Sequence, residues 1–371
     1  MFAVFSILAL AFSTFAGTPV PRCVESIAQI SASAKNFNLS FPAEGTSWGS
    51  GSEGVQESFN SASGLLALGE PTVPVSGTYG IHMRFCEPSS AVERRKDTPQ
   101  ILVHGVSYDD EYWDIGFKPD TYSYVRFAAA QGYATLNIAR LGNGKSDRPD
   151  PLKIVQSPFE VAVLRSIIAT ARTGRIPGAD QEFGTIVYVG HSFGSMILNG
   201  IVASEPTLVD AAIFTGYAHN SIDTSPVSVQ PASENDPARF GDLPPEYLTT
   251  TNTSTRATDL YGSPGTFDPA ALAWDEAHKD TATLGELLTV GFTITAAPKF
   301  EGDVLTIIGD QDFPFCPEAG CANVHKEGKF YPKARSVEAA VIPSTGHSLN
   351  YHLSAPQFYR TIQAWLTRHD F

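Results

Sequence analysis

Residues 185–204, TIVYVGHSFGSMILNGIVAS, constrain the fold of this chain more than any other stretch. A β-rich apolar run ends directly in Gly190-His191-Ser192-Phe193-Gly194, which opens at once into a second apolar run with helical spacing. A strand that becomes a helix without a linker must reverse within a few residues. Glycines on either side of the turn are required there, because side chains would collide with the neighbouring strand and helix. The stretch therefore predicts a buried strand, a strained turn with Ser192 at its apex, and a helix packed back against a sheet.

The rest of the chain repeats this rhythm. Apolar β-rich runs lie at 100–104, 133–138, 185–190, 211–216, 303–309 and 338–343, and stretches with helical spacing separate the first four. One helix has a marked start: in Ser157-Pro158-Phe159-Glu160 the serine reads as N-cap, the proline as first helical residue and the glutamate as capping box, with an end near Gly174. Strand, helix, strand in this order predicts an α/β fold with a mostly parallel central sheet and helices on both faces. Earlier antiparallel strands are expected at about 27–40 and 79–86, with a Gly/Ser-rich excursion at 45–64 between them. Residues 217–300 break the rhythm with many Pro, Thr, Asp and Gly and read as an inserted cap or lid. Its aromatics, with Tyr217, Phe240, Tyr247, Tyr261, Phe267 and Trp274 among them, fit either a binding surface for an apolar or aromatic group or the cap's own core.

Length supports that division. A single core stops growing near roughly 250–300 residues, and the chain has 371. Residues 1–16, MFAVFSILALAFSTFA, are uncharged, too short to span a bilayer, and end in small residues suited to cleavage. The organisation expected is thus a signal peptide at 1–16, a core in two parts at 17–216 and 301–371, and the cap between them. A secreted, extracellular chain with four cysteines is expected to form disulfides. Three pairings are possible; Cys316–Cys321 closes a short loop, which leaves Cys23–Cys86. Sequons at Asn38 and Asn252 fit surface glycosylation. The net charge of −14 excludes a nucleic-acid binder, which needs a basic stripe.

A serine hydroxyl attacks only when a base takes its proton, and that base must itself be oriented. In this architecture the partners follow Ser192 as acid, then histidine. Gly346-His347, beyond the last apolar strand, supplies the base; His352 reads as packing beneath that loop. Gly309-Asp310-Gln311-Asp312 offers two acids. Asp312, further out on the loop, is the better placed to reach a histidine, and Asp310 reads as a turn residue bonding its own backbone. Asp223 is a more distant candidate. Oxyanion donors are expected from the backbone N–H groups of Val106, after His104-Gly105, and of Phe193. Tyr108, Trp113 and Tyr217 are candidate substrate contacts, and no His/Cys cluster has zinc-site spacing.

Strand–His-Gly, GHSFG, an acid and a late Gly-His in this order resemble the α/β-hydrolase superfamily. The stretches ILVHGVSYDDEYWD, TYSYVRFAAAQGYATLNIARLGNGKSD, YVGHSFGS, IIGDQDFPFCPEAGC and STGHSLNYH are similar to secreted fungal α/β-hydrolase-1 proteins. The resemblance implies the α/β-hydrolase fold, a serine hydrolase without cofactor or metal, Asp312 as the acid and a pairing of the two cysteines that follow it. It also marks a departure: relatives carry Asp at the position of Ala139, which is outside the catalytic set. The function expected is cleavage of a small-molecule carboxylic ester or lactone. Acyl transfer, cyclisation or C–C cleavage on the same three residues is the alternative within enzymes. A non-catalytic ligand-binding protein is the alternative outside them. Nothing in the residues sets the oligomeric state.

Overall fold

The computed structural model describes residues 20–39, 71–90, 92–179, 181–219, 228–316 and 319–371. The expected signal peptide, the 45–64 excursion and Asp223 lie outside them. In chain order the strands are β1 (Cys23–Phe37), β2 (Thr72–Cys86), β3 (Gln100–Val103), β4 (Thr135–Ile138), β5 (Val187–His191), β6 (Ala211–Thr215), β7 (Val229–Pro231), β8 (Tyr247–Thr250), β9 (Ala282–Thr283), β10 (Asp303–Gly309) and β11 (Ser336–Ile342). The longer helices are α1 (Tyr124–Ala130), α2 (Ser157–Arg172), α3 (Phe193–Ser204), α4 (Thr253–Leu260), α5 (Pro269–His278), α6 (Leu284–Thr289) and α7 (Ala355–Arg368).

Eight strands form one sheet in the order β1-β2-β4-β3-β5-β6-β10-β11. It is parallel from β4 to β11 and closed on one side by the antiparallel β1–β2 hairpin. Every residue of β3, β4, β5, β6 and β10 is buried, as strands covered on both faces require, and their sequences are accordingly near-continuous apolar runs. By contrast β1 alternates between exposed and partly buried positions, the pattern of an edge strand. Helices α2 and α3 cover one face and α1 and α7 the other, each over its own apolar cluster. Among the described residues no helix is long and apolar enough to cross a membrane.

Two disulfides are present, Cys23–Cys86 and Cys316–Cys321. The first joins residues directly opposite each other in the β1–β2 register. Both hairpin strands have fifteen residues: β2 is longer than its sequence suggested, and β1 begins and ends three to four residues earlier. Only Met83–Cys86 of β2 pairs with β4. The remainder of the hairpin runs past the sheet and is held by its own cross-strand bonds and by packing on α2.

The start of α2 departs from the expected cap. Ser157 is already helical and Gln156 occupies the N-cap without a side-chain cap bond. The Gln156 amide is committed elsewhere, accepting from Phe37 N–H at 2.9 Å and donating to the Phe37 carbonyl at 3.0 Å. The Ser157 N–H donates to Thr289 Oγ1. Nor is Glu160 a capping-box residue. It lies on the buried stripe Phe159, Val163, Leu164, Ile167, Ile168, and its carboxylate meets Arg140 at 2.7 Å. Arg140 also pairs with Glu286, and all three side chains are fully buried.

Burial pushes the Glu160 carboxyl well above its ordinary range, against the pull of Arg140 and with the repulsion of Glu286. One guanidinium thus faces two buried carboxylates. Replacing Arg140 with Met strands two buried acids, and urea unfolding is expected to show a loss of about 3–5 kcal/mol. Glu160→Gln keeps an acceptor for Arg140 without the second charge, so its expected cost is within about 1 kcal/mol.

Candidate active site

The GHSFG turn joins β5 to α3 as its sequence demands. Ser192 has φ 52° and ψ −116°, a conformation that non-glycine residues adopt only when the surroundings impose it. Gly190 and Gly194 make the turn sterically possible. A Cβ on Gly190 would lie 2.6 Å from Ser195 N, and one on Gly194 would lie 2.7 Å from the His104 carbonyl and run into that of Val103. The Ser192 N–H donates to the Thr215 carbonyl at 2.8 Å, and Ser195 Oγ donates to the same carbonyl at 3.0 Å. The apex is thereby tied to the end of β6. Ser192 retains 7% exposure at this edge of the sheet.

Asp312 and His347 come from the loops after β10 and β11. His347 Nδ1 lies 3.1 and 3.0 Å from the two carboxylate oxygens of Asp312, which is fully buried. Asp312 is fixed in turn: its Oδ1 accepts from Phe315 N–H at 3.2 Å and its carbonyl from Cys316 N–H at 2.7 Å. The Cys316–Cys321 loop is thus attached to the acid. The Phe315 ring stacks on the His347 imidazole at 5.6 Å. Asp310, read above as bonding its own backbone, instead accepts from Thr345 N–H at 3.1 Å, so it braces the histidine loop. Gly216, just after β6, sits so close to His347 that a Cβ there would be 3.0 Å from Cε1. Ser192, Asp312 and His347 therefore gather at the C-terminal ends of β5, β10 and β11.

Val106 follows β3 and is half-buried, and Phe193 is the first residue of α3. Among the described residues neither N–H donates to a backbone carbonyl. Two buried histidines, His104 and His191, adjoin these turns in sequence. His104 donates from Nδ1 to the Gly105 carbonyl and accepts at Nε2 from Arg140 N–H, and burial with the nearby Arg140 charge holds its pKa well below normal. His191 stacks on Tyr112 and is likewise pushed down by burial, by His347 and by His104.

The three candidate substrate contacts lie deeper than their sequence reading implied. Trp113 has no exposed surface and packs edge-on against Tyr112 and Tyr124. Tyr217 is also fully buried, between Phe214 and Phe315. Tyr108 is 3% exposed, with its hydroxyl hydrogen-bonded to Ser348 Oγ. Of the aromatics further along, Phe240 and Tyr247 form a small cluster of their own, Tyr261 joins the α1/α7 core with Phe267 and Trp274 partly buried against it, and Phe240 and Trp274 also line a cavity with Arg148 and Asp280. Asn252 is exposed and its Oδ1 caps α4 by accepting from Thr255 N–H; Asn38 is exposed at the end of β1.

Arg140 and Arg256 escaped sequence reading. A signal for Arg140 existed, since it is the one charge in YATLNIARLGNG and Glu160 the one charge on an otherwise apolar helix stripe. His352 has a definite role beneath the loop. Its Nε2 accepts from Gly346 N–H at 3.0 Å and Gly262 N–H at 3.1 Å, while Nδ1 donates to the Ser348 carbonyl. That pattern requires the neutral ring, and burial pushes its pKa down to about 4.

Residues 100–361 match the profile of the alpha/beta hydrolase family. No curated protein matches the chain by sequence. Among solved structures the chain is similar to a thermophilic esterase from Thermogutta terrifontis, at 15% identity and TM-score 0.53, over 80% of this chain and 96% of that one. It is also similar to a monoacylglycerol lipase of Paleococcus ferrophilus, at 16% identity and TM-score 0.52, over 73% and 96%. A bromoperoxidase from Bacillus anthracis, at 17% identity and TM-score 0.52, is matched over 78% and 96%. At such identities the likeness is one of fold.

The unfolded chain binds the His352 proton near pH 6.5 and the folded chain only near pH 4, so stability falls as pH drops through that window. Between about pH 7 and 4.5 the expected contribution is about 2–3 kcal/mol. His352→Gln should lose stability at neutral pH yet show a correspondingly flatter decline, measured by chemical unfolding at both pH values.

Proposed function

Since the chain belongs to the alpha/beta hydrolase family, we propose that it is a secreted serine hydrolase that cleaves a small-molecule carboxylic ester or lactone through an acyl-enzyme intermediate. The observation that carries this reading is the hydrogen bond from His347 to a buried Asp312, at the same edge of the sheet as Ser192, which is held at positive φ after β5. Ser192 Oγ attacks the carbonyl carbon while His347 Nε2 takes its proton. Asp312 keeps the imidazole in the tautomer with Nδ1–H and stabilises the imidazolium. The carbonyl oxygen, now negative, is held by the Val106 and Phe193 N–H groups. Collapse of the tetrahedral intermediate expels the alcohol, protonated by His347. Water, activated by the same ring, then releases the acid.

Residues 217–300 act in this reading as the cap over the site, and two disulfides are compatible with an extracellular protein. Hydrolysis requires neither a metal nor an organic cofactor in this scheme. The substrate enters as a neutral molecule with an apolar or aromatic portion, in keeping with a protein of net charge −14.

A fluorophosphonate probe should label the intact protein on Ser192, located by peptide mass mapping. Ser192→Ala is expected to abolish both labelling and the hydrolysis of nitrophenyl esters, screened by acyl length beside lactones and aryl esters, with little change in unfolding temperature. Residual hydrolysis above about 1% would remove Ser192 as nucleophile.

A further inference from the structure

The turn after β3, which carries Val106, is held from the insertion. Ser107 has φ 58°, where an L residue stays only under constraint. Its N–H donates to the Thr281 carbonyl and its own carbonyl accepts from Asp280 N–H, each at 3.1 Å. The remaining polar groups of Ser107 are taken by one side chain on α4. Arg256 Nη1 donates to Ser107 Oγ at 3.0 Å, and Nη2 lies 3.4 Å from the Ser107 carbonyl. That guanidinium is fully buried and is itself fixed by a two-point bond to Asp275, with Nε and Nη2 each at 2.7 Å. Tyr261 donates a further hydrogen bond to Asp275, and the guanidinium carbon sits 4.6 Å from the centre of the Tyr108 ring.

The same helix reaches the histidine loop. The Ser348 N–H, next to His347, donates to the carbonyl of Leu260, the last residue of α4. A buried ion pair is a costly way to fill space, since apolar side chains of equal volume pack there as well or better. What the planar fork adds is direction: two bonds to Asp275 fix its plane, and Nη1 then donates to Ser107 Oγ and to Thr250 Oγ1. We propose that Arg256 is a positioning residue of the hydrolytic reaction, holding Ser107 in its constrained conformation so that the Val106 N–H is aimed at the developing oxyanion. This assignment rests on the serine-hydrolase reading above. Arg256 touches neither substrate nor reacting atoms and works through Ser107.

An oxyanion donor acts in the transition state, so misaiming it lowers kcat and leaves KM nearly unchanged. The test compares the full-length protein with Arg256→Met, Ser107→Ala and the double variant. It reads kcat and KM on the best nitrophenyl ester, the rate constant of Ser192 phosphonylation, and the unfolding temperature. Arg256→Met is expected to lower kcat and the phosphonylation rate about 10–100-fold with KM within about threefold. Ser107→Ala should lose part of that, and the double variant no more than Arg256→Met alone, because both remove one contact. Ser107→Ala deletes a single hydroxyl, so it decides the matter if Arg256→Met does not fold. A folded variant with kcat within about twofold of wild type, a change confined to KM, or fully additive losses would overturn the assignment. A wild-type protein inert to both ester and fluorophosphonate overturns the hydrolase reading and this assignment together, whereas a reactive wild type with unaffected variants overturns this assignment alone.

Discussion

A guanidinium with no route to solvent organises the molecule. Arg140 binds Glu160 of α2 and Glu286 of α6, lies 3.3 Å from the Gly105 carbonyl after β3, and packs over the Phe193 ring that follows Ser192. Apolar burial drives these elements together but does not choose their relative placement. A buried ion cluster does, because its bonds exist in one geometry and the alternative is an unpaired charge in low dielectric. The loop after β4 that carries Arg140, a crossover helix, the insertion and the serine turn are thereby joined at one point. Glu286 also closes the capping box with Thr283, so the same carboxylate starts α6 and ends the network.

The insertion is therefore part of the site's framework. Its small three-stranded sheet, β7-β8-β9, carries its own apolar clusters. From that base it sends Arg256 and the 280–281 backbone to the turn after β3, and Leu260 and Gly262 to the loop around His347. Two loops that originate on different strands, β3 and β11, share these contacts. Motion of α4 relative to the sheet would have to break the Arg256–Ser107 bonds and the bond from Ser348 N–H to the Leu260 carbonyl together.

Much of the frame was legible because it rests on local rules. Central strands buried on both faces must read as apolar runs, and a strand–Gly-x-Ser-x-Gly–helix unit admits one backbone path. The cysteine pairs follow from few combinations. What was not legible depends on partners distant in sequence: Arg140 and Glu286 are 146 residues apart, and Arg256 and Ser107 are 149. No local pattern reports such pairing. Side-chain competition hid the rest. Ser157-Pro158-Phe159-Glu160 has the letters of a cap, but Ser157 and Glu160 are drawn off by Thr289 and Arg140. Trp113 and Tyr217 are aromatic for the same reason that core residues often are, and residue type alone does not separate lining from packing.

The Cys23–Cys86 bond stands at the base of the β1–β2 hairpin, 63 residues apart in sequence and directly opposed in register. Everything between those strands is thus enclosed in a covalent ring. A protease that cut the backbone once anywhere from residue 38 to residue 71 would open the ring without releasing a fragment. The N-terminal piece would stay on the sheet by one covalent bond and fifteen paired positions. Cleavage there would add one new chain start, one new chain end and the mass of one water, away from the C-terminal ends of β5, β10 and β11.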